Sequence, residues 1–226
     1  MATGSSSTDF GGLGDNYYVE SSGLTSLDPS TDPISVVCWV YRDIEFTSTD
    51  RIVWTQLDGS GAGRVFFSLT DTNEYPFTAV GGITLSGSTP VAIDTWTFVS
   101  ASFPGGTGTV RLYLNAVQDA SASRTGEAAN GEWRVGAHKS NTATGNFAGN
   151  IAYASIFEEE LNPSILQELM WNPFSYPSNM KWHPELIDTT AASFEDKSPS
   201  QLGSSTVVGS PVVSTLGPPI FLWGVM

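Results

Sequence analysis

The chain of 226 residues has 14% charged and 40% hydrophobic residues, with 23 glycines and seven tryptophans. Nine basic residues against 23 acidic ones leave a formal net charge of −14. This charge repels phosphate backbones and anionic membrane surfaces, so it argues against nucleic-acid binding. Nothing in the sequence approaches the run of about 20 apolar residues that insertion into a membrane as a helix requires.

Strand-like segments recur through the first two thirds of the chain. They are rich in β-branched and aromatic residues and alternate between apolar and polar positions, which is typical of half-buried strands. The segments are 17–20, Ile34–Tyr41, 51–56, 65–69, 83–85, 95–103, 110–114, 133–135 and 151–157. Ile34–Tyr41 is apolar on both faces, as expected for a central strand, and it contains the single cysteine, Cys38, as a small buried residue. Glycine-rich turns between the segments favour a sandwich over a βαβ layout.

One helix is predicted over residues 162–170. Asn162 is suited to cap its amino terminus, and Pro163 suits the first helical position. Ile165, Leu166 and Leu169 form an apolar stripe at helical spacing. We therefore expect a short helix that packs on an edge or end of a sheet.

The composition changes from residue 173 onward. Seven prolines interrupt 173–226, and alternation survives only in pieces such as 206–208 and 212–213. We therefore expect a β-sandwich over 1–172 and a Pro-rich carboxyl-terminal extension over 173–226 that wraps the sandwich, docks on a partner or oligomerises. A solvated tail does not normally expose much apolar surface. The predicted docking residues are Ile220, Phe221, Leu222 and Trp223.

Several short sequence phrases occur in a fixed order along the chain. They are 38–41 (Cys-Trp-Val-Tyr), 96–99 (Trp-Thr-Phe-Val), 112–115 (Leu-Tyr-Leu-Asn), 135–136 (Val-Gly), 147–152 (Phe-Ala-Gly-Asn-Ile-Ala) and 161–163 (Leu-Asn-Pro). Over about residues 9–171 this order resembles the laminin G-like and pentraxin-like branch of the concanavalin A-like lectin/glucanase superfamily. The chain also resembles the stand-alone members encoded by tailed bacteriophages.

The resemblance implies an all-β jelly-roll sandwich of two antiparallel sheets, here with one short helix and an irregular carboxyl-terminal extension. The alternation of the strand segments supports this fold independently. Members of the family bind carbohydrate or protein ligands, often with calcium, and many are structural modules. The acidic residues here form no Asp-x-Asp-x-Asp pattern, so calcium stays open without a motif behind it, and we predict no other cofactor. Asn115-Ala116 stands where the family commonly has Asn-Gly, so we expect Asn115 to adopt the left-handed conformation.

The residues argue against an enzyme. Glycosidases with this sandwich carry Glu-x-Asp-x-x-Glu on one strand, so that two carboxylates face one side, and this pattern is absent here. Glu158 and Glu160 lie just before the predicted helix and are interpreted as part of a solvated acidic rim. His138 and His183 lack a partner at metal-ligand spacing and are interpreted as surface or packing residues.

A carbohydrate site is expected in the loops rather than at the strand tryptophans. Trp39, Trp54, Trp96 and Trp133 lie in strand patterns, where core packing is the better interpretation. Loop residues that combine polar groups with one aromatic face are better ligand candidates. These are Asp58, Asn73, Tyr75 and Asn141.

Two functions stay open at this point. The first is a non-enzymatic virion structural protein, a decoration or fibre-associated module held on a phage capsid or tail by residues 173–226 and expected to be a homo-oligomer. The small, polar start of the sequence is no signal peptide, which predicts synthesis in the host cytoplasm and location in the virion. The alternative is a free lectin-like module that binds cell-surface glycans.

Overall fold

The computed structural model describes residues 7–11, 18–24, 26–43, 51–57, 63–69, 75–80, 83–125, 131–137, 146–175, 178–184, 186, 193–194, 196–199, 204–209, 212–214 and 217–219. The first eight strands are β1 (Ser7–Asp9), β2 (Tyr18–Ser22), β3 (Ile34–Tyr41), β4 (Arg51–Leu57), β5 (Gly63–Leu69), β6 (Pro76–Val80), β7 (Ile83–Ser86) and β8 (Thr97–Phe103). They are followed by β9 (Gly108–Leu114), β10 (Val117–Arg124), β11 (Trp133–Val135), β12 (Asn150–Phe157), α1 (Pro163–Trp171), β13 (Met180–Trp182), β14 (Ser193–Phe194), β15 (Ser204–Val208) and β16 (Val212–Ser214).

The strands form two antiparallel sheets, as expected for a jelly-roll sandwich. Sheet A has the order β10-β9-β8-β3-β12-β1-β16, and β13 pairs with β12 beside it. Sheet B has the order β14-β15-β2-β11-β4-β5-β6-β7. The predicted fold class is thus confirmed. In the described part of the chain, no helix is long and apolar enough to cross a membrane.

The main core lies between the two sheets. Sheet A contributes residues such as Val36 and Val99, and sheet B contributes Val53 and Val135, all almost completely buried. Large aromatic rings fill the space between them, because a two-sheet core is only about 10 Å thick and each ring spans much of it. The largest of these rings belong to Phe10, Trp54, Phe67, Phe103, Trp133, Phe147 and Trp182.

Strong alternation predicted the strands well. The predicted strand segments agree with observed strands to within two residues at each end. Three strands of the first two thirds, β1, β6 and β10, are absent from the predicted segments. The sequence of β10 is Val-Gln-Asp-Ala-Ser-Ala-Ser-Arg and most of it is partly or fully exposed, because β10 is an edge strand of sheet A. It therefore lacks the large apolar residues that mark a strand in sequence.

Residues beyond 172 contribute strands to both sheets. β13 pairs with β12 and β16 with β1 in sheet A, while β15 pairs with β2 in sheet B and β14 follows it at the edge. Trp182 is fully buried, with its ring 5.9 Å from that of Trp54 and its Nε1 donating to Ser205 Oγ at 3.0 Å. In its described residues this segment thus lies within the sandwich. Ile220, Phe221, Leu222 and Trp223 lie outside the described residues, so their docking role stays a prediction.

A two-residue turn joins β9 to β10. Asn115 and Ala116 both have positive φ angles, 48° and 64°. Asn115 is anchored to β8 twice: its backbone N donates to Phe98 O at 2.8 Å, and its Oδ1 accepts from Phe98 N at 3.1 Å. The expectation that Asn115 adopts the left-handed conformation agrees with this geometry, and Ala116 shares it.

Replacing Asn115 separates the two roles of its side chain. Asn115→Ala loses the acceptor for Phe98 N and puts a residue without local compensation at positive φ, so we expect a loss of about 2 to 3 kcal/mol in the free energy of unfolding. Asn115→Gly loses only the acceptor, and we expect about 1 kcal/mol. Urea unfolding measures both. Equal losses in the two variants would mean that the positive φ angle of this position adds nothing to the loss of unfolding free energy in Asn115→Ala.

Candidate functional site

Helix α1 covers part of the outer face of sheet A, the face that points away from the main core. Its buried residues Leu166, Leu169 and Met170 pack on a second apolar cluster that includes Trp39 and Phe98. Trp39 Nε1 donates to the carbonyl oxygen of Met170 at 3.2 Å, which ties the last turn of the helix to the centre of the sheet. The helix is therefore a fixed platform rather than a loose lid.

The amino terminus of α1 forms as the sequence predicted. Asn162 has extended backbone angles, and its Oδ1 accepts from Ser164 N at 2.9 Å and Ile165 N at 3.1 Å. Pro163 occupies the first turn, where its missing N–H costs no helical hydrogen bond. The predicted cap at Asn162 is thus confirmed, and the observed helix extends one residue further than predicted, to Trp171.

A β-bulge in β12 shapes the sheet beneath the end of the helix. Ala152 pairs with Trp39 and Ser155 with Val37, so β12 has one more residue than β3 over this stretch. The extra residue leaves Tyr153 at φ = 51°. Cross-strand partners share a face, so the bulge puts Ser155 on the outer face together with Val37.

His183 lies next to Ser155 on this outer face. It follows Trp182, which points into the main core, so its own side chain points the opposite way. His183 Nδ1 and Ser155 Oγ are 2.6 Å apart, and both residues are buried. Complete burial lowers the pKa of His183 to about 4, so the ring is neutral near pH 7.

Aromatic rings connect His183 to the segment that follows α1. The Phe174 ring lies 5.0 Å from the His183 ring and 6.3 Å from the Tyr153 ring, edge-on to both. Phe174 belongs to a turn built on Asn172, whose Oδ1 accepts from Phe174 N at 3.3 Å and whose carbonyl accepts from Ser175 N at 3.0 Å. The turn after the helix is thereby held against the bulge.

A groove with a volume of about 410 Å³ lies between this turn and the solvent-facing side of α1. It is lined by Ser164, Gln167, Glu168, Trp171, Asn172 and Ser175. The first four of these are spaced at i, i+3, i+4 and i+7, which places them on one helix face, opposite the buried one. We call this feature the α1 groove.

The α1 groove combines one aromatic ring with several hydrogen-bonding groups. Trp171 is 40% exposed, which is unusual for so large an apolar side chain. Around it stand two amides, a carboxylate and two hydroxyls from the other lining residues. Among these, the buried Ser175 Oγ has no hydrogen-bond partner within the part of the chain that the structure describes. The groove can therefore take a ligand with one apolar face and several hydroxyl groups.

The sequence prediction did not include the α1 groove. Of the four predicted ligand residues, Asp58, Asn73 and Asn141 lie outside the described residues, and Tyr75 lies half-buried just before β6 in sheet B. Leu57, which precedes Asp58 in the sequence, pairs with Gly63 at the start of β5. Pro76, which follows Tyr75, pairs with Leu69 at the end of β5. A signal for the groove exists in the sequence, since Trp171 is a large aromatic residue in phase with the polar face of the predicted helix.

Other residues considered for chemistry have structural partners. Glu158 pairs with Lys181 at 2.6 Å and Glu160 pairs with Arg111, so the two carboxylates are directed to different strands. Trp39, Trp54 and Trp133 are buried as predicted, and Trp96 is partly buried. His138 lies outside the described residues.

A second polar cluster lies on the outer face of sheet B. Arg134 pairs with Glu20, and its guanidinium carbon is 4.6 Å above the centre of the Tyr18 ring. Burial, together with a hydrogen bond to Glu20, raises the pKa of Glu132. Tyr18 and Arg134 are buried, so this cluster exposes little surface to a ligand.

The described residues contain no cluster of His, Cys, Asp or Glu side chains that could hold a metal ion. Nowhere in these ranges do three or more His, Cys, Asp or Glu side chains come close enough together to hold a metal ion. Calcium takes six to eight oxygen ligands, several of them carboxylates. The described residues thus contain no group of acidic side chains of this kind.

Comparison with known proteins places the chain in a family. A family model of the concanavalin A-like lectin/glucanases superfamily, Laminin_G_3, matches residues 13–167, and the chain belongs to this family. Comparison with curated protein sequences finds no match.

Solved structures of the same fold include a candidate carbohydrate-binding protein from Bacteroides ovatus, with 14% identity and a TM-score of 0.71. The alignment covers 96% of this chain and 62% of that protein, so the chain spans less than two thirds of its length. A heptameric SAP-like pentraxin from Limulus polyphemus aligns with 12% identity, a TM-score of 0.60 and coverage of 92% and 96%. At such identities these likenesses show the fold alone.

The buried His183 predicts a pH dependence of stability. The ring has a pKa of about 4 in the folded protein and about 6.5 in the unfolded chain, so between these values only the unfolded chain binds the proton. Stability is complete above about pH 6.5 and falls as the pH drops through 4, by roughly 3 kcal/mol in total. The measurement is urea unfolding at a series of pH values.

The matched variant is His183→Asn, which keeps a polar group near the Nδ1 position and does not titrate. It lowers stability at pH 7 but flattens the dependence between about pH 6.5 and 4. Parallel pH curves for the two proteins would rule out His183 as the titrating group.

Proposed function

We propose that this protein is a non-catalytic, lectin-like carbohydrate-binding module whose saccharide ligand occupies the α1 groove. The observation that carries the proposal is Trp171, a residue that is 40% exposed and lies amid amide, carboxylate and hydroxyl groups. An aromatic face packs on the apolar face of a pyranose ring, and the polar groups hydrogen-bond to its hydroxyls. The likeness in fold to the candidate carbohydrate-binding protein of Bacteroides ovatus supports the proposal.

The groove has the size and rigidity of a small-ligand site. Its volume of about 410 Å³ lies in the range of pockets that hold small molecules. The helix is capped at Asn162 and tied to the sheet through Trp39, so its lining side chains start from a fixed backbone. A preformed site loses less conformational freedom on binding, which favours affinity from few contacts.

The absence of catalysis is supported by the carboxylates. Glycoside hydrolysis needs two carboxyl groups at a defined separation across one bond. Glu168 is the single carboxylate among the described lining residues of the α1 groove. The carboxylate pattern of the related glucanases is absent from the sequence as well.

Trp171→Ala tests the proposal directly. Against a panel of oligosaccharides we expect the wild-type protein to bind at least one, and the variant to bind it about tenfold more weakly because the stacking surface is lost. Trp171→Phe keeps an aromatic face and serves as the matched control, with an intermediate affinity expected. Isothermal titration calorimetry with added calcium and with a chelator measures each affinity.

Tyr75→Ala examines the loop site that the sequence predicts. A loss of affinity in this variant with none in Trp171→Ala would move the ligand site from α1 to the loops beside sheet B. Uniformly absent binding across the panel, with and without calcium, would overturn the carbohydrate-binding function itself.

A second candidate function is attachment to a larger assembly, as a virion structural protein on a phage capsid or tail. It is supported by the apolar segment 220–226, Ile-Phe-Leu-Trp-Gly-Val-Met, which follows two prolines. Apolar segments of this kind are typical of docking surfaces. Both functions are compatible, since a module displayed in many copies gains avidity from weak single sites.

Deletion of 220–226 tests the attachment. The deletion leaves every described strand in place, whereas deletion of 173–226 would remove β13, β14, β15 and β16 from the sheets. We expect an unchanged unfolding midpoint and the loss of self-association, measured by light scattering after gel filtration. An unchanged oligomeric state, together with failure of the full chain to co-purify with virus particles, would contradict the attachment.

A further inference from the structure

We infer that the α1 groove selects its glycan by charge, taking sugars that carry an ammonium group in preference to neutral sugars and rejecting acidic ones. This inference rests on the proposed carbohydrate-binding function. The favoured ligand class is an oligosaccharide of glucosamine type, whose free amine is protonated. Glu168 is the residue that determines the selection.

The first observation is the charge of the groove lining. Among its six described lining residues, Glu168 is the one charged side chain and no basic residue is present. A carboxylate beside an aromatic ring attracts a ligand ammonium group through charge and through the negative face of the ring. The same carboxylate repels a uronate or a sulfate.

The second observation is that most of the groove lining, from Gln167 to Ser175, lies in the carboxyl-terminal half of α1 and the turn after it. The carbonyl groups of the last helical turn give this end a partial negative charge, and α1 has no basic residue in its last turn. Glu168 lies in that turn, so its charge adds to that of the helix end. Both contributions favour a cation at the same place.

The third observation concerns two basic residues of sheet A, Arg111 in β9 and Lys181 in β13. Lys181 pairs with Glu158, and Arg111 pairs with Glu160, so each of these cations is matched by a carboxylate outside the groove. Neither belongs to the described lining of the groove. The net charge of −14 adds a long-range repulsion of acidic polysaccharides.

The test measures the affinity of the full chain for three oligosaccharides of equal length. The pH is about 6, where an amine is protonated and a carboxyl group is ionised. The oligosaccharides are a glucosamine oligomer, its fully N-acetylated form and an oligogalacturonate. We expect the glucosamine oligomer to bind about fivefold more tightly than the acetylated form, and the oligogalacturonate to bind most weakly. At about pH 9 the amine is neutral, and the preference between the first two should disappear.

Glu168→Gln is the decisive variant, since it removes the charge and keeps the length and hydrogen-bonding capacity of the side chain. It should bind the first two oligomers equally and bind oligogalacturonate more tightly than the wild-type protein does. Asp43→Asn is the matched control, because Asp43 is exposed, lies outside the groove and changes the net charge by the same amount. This control should keep the wild-type preference.

The outcomes separate this inference from the function on which it rests. Binding of the acetylated oligomer with equal or higher affinity overturns the charge selection and leaves carbohydrate binding in place. Equal effects of the two variants reduce the preference to general attraction by an acidic protein, which also overturns the role of Glu168. If the protein binds none of the three oligomers and no other saccharide in the panel, the carbohydrate-binding function is overturned as well.

Discussion

The bulge in β12 is the constraint on which the α1 groove depends. A regular strand would pair Ala154 with Val37 and direct Ser155 into the main core. The extra residue instead directs Ser155 outward, where it meets His183 at 2.6 Å. Tyr153 pays for this with a left-handed backbone, which costs roughly 1 to 2 kcal/mol in a residue with a Cβ atom. Its ring packing on Phe174 offsets part of that cost, and Phe174 in turn fixes the turn beside the groove.

The carboxyl-terminal segment is bound to the same region. β13 supplies Trp182 to the main core and Met180 to the second apolar cluster, so one short strand joins the two clusters, and His183 follows it on the outer face. It pairs with β12 at Ile156 and Phe157, just after the bulge. The backbone N of His183 also donates to Asp196 Oδ1 at 3.0 Å, which links β13 to a later part of the segment. The same segment therefore stabilises both the groove and the sandwich core, and a loss of β13 would destabilise both.

The sequence predicted what depends on local pattern. Ile34–Tyr41 and the cap at Asn162 carry strong signals, because burial on both faces and a capping residue followed by proline have few alternative explanations. The bulge carries no such signal, since Tyr153 is neither glycine nor asparagine and its geometry follows from packing against distant residues. The strands beyond residue 172 gave only partial signals, at 206–208 and 212–213, for a similar reason: they are short, separated by prolines, and gain their partners from β1, β2 and β12 earlier in the chain. The α1 groove depends on the bulge in β12 and on the segment beyond residue 172. Its shape therefore became visible only in the structure.

Glu168 is unfavourable for the helix at its position, whereas the other features of α1 stabilise the helix. The helix has a capped amino terminus, a proline in its first turn and a well-buried apolar stripe, all of which stabilise it. A carboxylate in the last turn opposes the helix dipole and costs a few tenths of a kcal/mol, where a lysine or arginine would be favourable. In sequences that are otherwise consistent with their structure, such exceptions concentrate at functional sites. Because Glu168 stands beside the exposed ring of Trp171, the most economical explanation of the exception is a ligand that carries the compensating positive charge.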